Sequence, residues 1–74
     1  MNISTDLMKS LDNRLKDELS DVSTYKNIYD KLISEGQHHA AELIEEIAHD
    51  EFTHAHALKK ILETHGYDVH TDDM

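Results

Sequence analysis

Residues 40–62, AAELIEEIAHDEFTHAHALKKIL, decide the fold. Taken at alternating steps of four and three they read Ala40, Ile44, Ile47, Glu51, His54, Leu58, Ile61. That is the period of a helix stripe packed against other helices. Two positions interrupt the apolar run: Glu51 and His54, spaced E-x-x-H, stand in the middle of it. Ala41, Ala48, Ala55 and Leu62 flank the stripe, making the apolar surface broad enough for a four-helix core rather than a two-stranded coil.

The upstream half repeats the pattern with Leu11, Leu15, Glu18, Val22, Tyr25, Tyr29 and Leu32, and again an acid, Glu18, sits on the stripe. Ser4 or Thr5, followed by Asp6, suits a helix N-cap with an acid complementing the first-turn dipole. No helix breaker then occurs before Ser34-Glu35-Gly36, where Gly36 can take the left-handed cap conformation. Gly66 offers a second such stop, and the chain has no proline and no other glycine. These signals predict an all-α fold over residues 1–66: an antiparallel two-helix hairpin with helix 1 at about 5–34 and helix 2 at about 37–65. Residues 67–74 form a short acidic tail expected to be flexible.

Seventy-four residues make one small domain that is marginal alone. With no cysteine, neither disulfides nor thiolate metal sites can reinforce it. The net charge of −9 argues against nucleic acid or an anionic membrane as partner. No apolar run approaches a membrane span and no signal-peptide pattern opens the chain, so the cytoplasm is the expected location.

The positions of the three stripe-breaking residues agree. Glu18 lies 18 residues before Gly36, and Glu51 and His54 lie 15 and 18 after it. At roughly 1.5 Å per residue, all three stand at one level, about 25 Å from the turn. An unpartnered buried carboxylate is costly, and a shared cation would explain all three residues at once. Mid-helix is also the level at which a two-fold axis perpendicular to the helices would superpose two such sets. A lone hairpin has nothing opposite its stripe, so a homodimer, or a larger assembly of dimers, is expected. Two copies would bring together four carboxylates and two imidazoles, whose −4 charge balances two divalent ions.

Glu18, Tyr25 seven residues later, and the run Ile47-Ala48-His49-Asp50-Glu51-Phe52-Thr53-His54-Ala55 resemble one half of a rubrerythrin-type ferritin-like bundle. The resemblance spans Glu18 to Gly66. It implies that Glu18, Glu51 and His54 bind a dinuclear iron centre, one per dimer, with Glu51 bridging and His54 terminal. Oxygen-rich ligation with one imidazole per metal fits iron or manganese, and also zinc. The implied activity is an oxidoreductase one: Fe(II) oxidation by dioxygen or peroxide, of ferroxidase or rubrerythrin-like peroxidase type. Without a rubredoxin-type centre, a peroxidase cycle needs an external electron donor. Encapsulated ferritin is also similar, being a two-helix chain, but this tail lacks the apolar-basic peptide expected for docking to a shell.

Lesser roles follow the same logic. Asp21 occupies the position of an extra family carboxylate and is a further candidate ligand. Asp50 is either a hydrogen-bond acceptor that orients an imidazole of the partner hairpin or an ordinary surface acid. Tyr25 is either a hydrogen-bond donor to a ligand carboxylate and redox relay or an aromatic core filler. His38, His39, His49, His56, His65 and His70 are expected away from the site, and Phe52 could mark a second contact between dimers. The rival reading is a non-catalytic dimerisation module whose stripe charges fix register, or a metal-binding one without turnover.

Overall fold

The computed structural model describes residues 3–69. Two helices, α1 (Thr5–Ser34) and α2 (His38–Thr64), pack against each other as the hairpin expected. Ser4 caps α1, its side chain accepting a hydrogen bond from the Leu7 N–H at 3.2 Å. The α1 terminus is closed by Gly36 at φ +75°: the Gln37 N–H bonds to the Leu32 carbonyl and the Gly36 N–H to that of Ile33. Gly66, at φ +77°, closes α2 the same way, with Tyr67 N–H on Leu62 O and Gly66 N–H on Glu63 O. Both glycines meet orphan carbonyls in a left-handed geometry that a side chain would strain.

The helix faces in contact differ from the expected stripe by a small rotation of α2. Ala41, Ala55 and Leu62 are fully buried, whereas Ile47 and Ile61, expected on the seam, remain 40% and 41% exposed. The physical reason is size. A ladder of alanines lets the second helix lie close to the first, which turns the larger isoleucines outward. On α1 the buried residues are Met8, Leu15 and Glu18, in register with the predicted stripe.

The main core lies towards the end away from the turn, where Met8, Leu15, Ala55 and Leu62 meet with Leu11, Leu19 and Leu58 packed around them. Tyr67 and Val69 pack on the same cluster, and the Tyr67 hydroxyl donates to Asp12 at 3.1 Å while Lys16 pairs with Asp12 at 3.0 Å. Beyond Gly66 the chain therefore turns back onto α1 as far as Val69. Residues 70–74 of the tail, including His70, lie outside the described residues.

One broad face is uncovered. Leu7, Arg14, Asp21 and Ile28 succeed one another at helical spacing along α1, and Leu43, Ile47, His54 and Ile61 do so along α2. Leu7, Ile28, Leu43, Ile47 and Ile61 are all exposed. Among the described residues no third helix lies over that face, and the structure, at 51 × 17 × 16 Å, is only two helices deep.

Leu15 is the larger contributor of α1 to a small core. Leu15→Ala is expected to lower unfolding free energy by about 2–5 kcal/mol in a denaturant titration. A loss below about 1 kcal/mol would show that this packing does not hold the hairpin together.

Candidate metal centre

Glu18 reaches the site because the period of α1 places it in line with Leu11, Leu15 and Val22, on the side turned to α2. Its residue is 7% exposed, the only charged residue buried among those described. Glu51 and His54 are one turn apart on α2 and project the same way. One ligand atom from each of the three lies within 4.8 Å of those of the other two. Glu18 is the fourteenth of thirty residues in α1, and Glu51 the fourteenth of twenty-seven in α2. The level predicted from counting residues is the level at which the side chains meet.

The two oxygens of Glu18 have different surroundings. Oε1 accepts from Arg14 Nη2 at 2.8 Å. Oε2 is buried with no hydrogen-bond partner and faces His54 Nδ1 at 3.9 Å, too far for a hydrogen bond. An orphaned carboxylate oxygen beside a second carboxylate and an imidazole fits a divalent cation: the donors are oxygen and neutral nitrogen, and one lone-pair site is unsatisfied. The His54 side chain is 61% exposed against 10% for Glu18, so the group opens onto the uncovered face rather than into the hairpin.

Charge in the pair is divided unequally. The closeness of Glu51, then Arg14 and His54, holds Glu18 below the ordinary carboxylate range against the opposing effect of burial. Glu51 is pushed up, first by the closeness of the Glu18 carboxylate, then by desolvation and by the charges of Glu18 and Asp21. Two carboxylates side by side do not both ionise freely.

Of the remaining sequence candidates, Asp21 is exposed and close enough to act on Glu51 through its charge. The Tyr25 side chain is half-buried and makes no hydrogen bond among the described residues; that of Asp50 is exposed and likewise makes none. His38, His39, His49 and His56 are exposed and outside the group, and His65 is half-buried at the α2 cap. Phe52 lies across the hairpin from the site, lining an open groove with Leu19, Val22, Glu45 and His49, its ring edge-on to His56 at 6.4 Å. Sequence reasoning missed Arg14. The signal was available, since Arg14 precedes Glu18 by one helical turn at i, i+4.

The pH dependence of the metal-free protein follows. Because the Glu51 value is raised on folding, its contribution to stability is complete below the ordinary glutamate value of about 4.3 and is lost as pH rises through the raised one. Glu18 acts oppositely, its contribution being lost only as pH falls through its depressed value. Glu51→Gln is therefore expected to remove the loss on the alkaline side while leaving the acid limb. Thermal melts in chelator from acid to neutral pH check this; parallel curves for the two proteins would contradict it.

A family model described as Rubrerythrin matches residues 9–73. No curated protein and no solved structure matches significantly. The matched stretch contains both helices from Lys9 onward, the Gly36 turn and all three residues of the metal-ligand group. A helical hairpin with this group at mid-height and a match over nearly its whole length belongs to the rubrerythrin family.

Proposed function

We propose that two copies of the hairpin pair through their uncovered faces into a ferritin-like four-helix bundle. Their Glu18, Glu51 and His54 sets together hold two iron ions, and the assembly oxidises Fe(II) with dioxygen or peroxide. The observation that carries this reading is the convergence of the three ligand atoms around the orphaned Glu18 Oε2. Membership of a family whose proteins typically bind iron supports the metal. The apolar side chains exposed on both sides of the group support the pairing, because such a patch on a small protein marks a contact surface.

Each side chain has a task in this scheme. Glu18 offers Oε2 from a buried, fixed position, and His54 supplies the imidazole from the exposed rim. Glu51, whose hold on a proton is raised beside Glu18, must be ionised to act as a ligand, so cation uptake strengthens with pH. Four carboxylates against two divalent ions leave the enclosed centre neutral, which lets apolar side chains surround it without an uncompensated charge. An iron pair held by Glu18, Glu51 and His54 would supply two electrons, one from each ion, for the reduction of peroxide with two protons to two waters. Leu7, Ile28, Ile47 and Ile61, covered by the partner, would keep bulk water from the ligands.

One observation favours the non-catalytic reading, in which the charges only fix register. Glu18 already has a cationic partner in Arg14, so metal is not the sole means of balancing it.

Anaerobic addition of one Fe(II) per chain separates the two. The metal-centre reading expects the melting temperature to rise, as it must when a ligand binds the folded state only. On admitting peroxide or air, iron oxidation should outrun that in buffer, and Glu51→Ala should abolish both effects. An unchanged melting temperature with Fe(II), and oxidation no faster than in buffer, would leave the register-fixing role standing.

A further inference from the structure

Arg14 is the one cation in hydrogen-bond contact with the metal-ligand group among the described residues. It sits on the uncovered stripe of α1, one turn from Glu18. Nη2 holds Glu18 Oε1 at 2.8 Å, and Nη1 stands 3.6 Å from Asp17 Oδ2. The guanidinium thus touches a fixed partner and a free one: the Glu18 side chain is 10% exposed, that of Asp17 67% and that of Arg14 itself 57%. Helix stability does not call for this arrangement, because a base preceding an acid at i, i+4 is the weaker orientation of a helical ion pair.

Charge decides what happens when a cation enters. In one hairpin Glu18 and Glu51 carry −2 when both are ionised, and one divalent ion cancels that. A guanidinium kept on Glu18 then becomes a surplus positive charge a few ångströms from the ion, and its repulsion is strong near a protein surface. Asp17 offers an acceptor already within reach, on the solvent side.

Building on the metal site proposed above, we propose that Arg14 is a resident counter-ion of that site. It neutralises Glu18 when no metal is bound, and an incoming divalent cation displaces it onto Asp17. Arg14 is then a built-in competitor that keeps the buried carboxylate from destabilising the metal-free fold and, in doing so, weakens metal affinity. The exchange makes and breaks no covalent bond: one cation leaves Glu18 as another takes its place.

Cobalt(II), followed through its visible absorption, is the probe, and melting of the metal-free protein is the second readout. Arg14→Gln is expected to bind cobalt more tightly, on the order of tenfold, the effect of removing one unit charge at this range, while its metal-free form melts lower. Asp17→Asn is expected to weaken cobalt binding more in the presence of Arg14 than in the Arg14→Gln background, since only the former needs an acceptor for the displaced guanidinium. Should Arg14→Gln not fold, Arg14→Lys replaces it, with a smaller change of the same sign, because an ammonium lacks the fork that spans both acids. Cobalt binding by Arg14→Gln that is equal to or weaker than that of the unsubstituted chain, or equal effects of Asp17→Asn in the two backgrounds, would overturn this role and leave the metal site intact. Failure of the unsubstituted chain to bind cobalt would overturn both.

Discussion

Glu18 is a charge set into an apolar seam, and the rest of the structure is arranged around that fact. Water cannot satisfy its inner oxygen, and the protein supplies a partner only to the outer one. A buried acceptor left open in this way is a cost that folding must offset elsewhere. The neighbours that gather there, a second carboxylate and an imidazole just beyond bonding distance, are poor partners for Glu18 and good ones for a cation. Stability and function therefore pull in different directions at this level of the helices. The core that holds the hairpin begins beside it, at Leu15 and Ala55, and extends to Met8 and Leu62 away from the turn.

The alanine ladder of α2 links this site to the uncovered face. By admitting a close approach of the two helices at Ala41 and Ala55, it turns the bulkier side chains of α2 outward. The same rotation leaves His54 facing outward and Glu51 at the boundary between the helices. One hairpin leaves the group half enclosed, with His54 on its open side; in the proposed pairing a second apolar surface covers it. The mid-height position of the three residues supports an identical copy as the proposed partner, since only there does a two-fold axis bring like sets together.

Much of this was legible in the residues. Seven-residue spacing, a capping Ser4 and two stop glycines define the helices to within a residue or so of their ends, because each is a local signal with a local cause. Counting outward from Gly36 placed Glu18 level with Glu51 and His54, because helical rise is nearly constant. The rotation of α2 was not legible. Columns 40/47/54/61, apolar but for His54, and 41/48/55/62 recur at the same period, and the choice between them depends on how closely the two backbones approach. Arg14 went unnoticed for a related reason. Its spacing to Glu18 is that of countless surface ion pairs, and only the burial of one partner distinguishes it. Tyr67 reaching back to Asp12 joins residues 55 positions apart, a pairing no local pattern encodes.

The central claim is that the ligand group is half of a shared centre, so the most direct test counts chains and metals together. Native mass spectrometry of the protein after anaerobic Fe(II) loading is predicted to show a species of two chains and two iron ions, with Glu51→Ala losing the metal. Single chains at working concentration, or paired chains that carry no iron after loading, would contradict it.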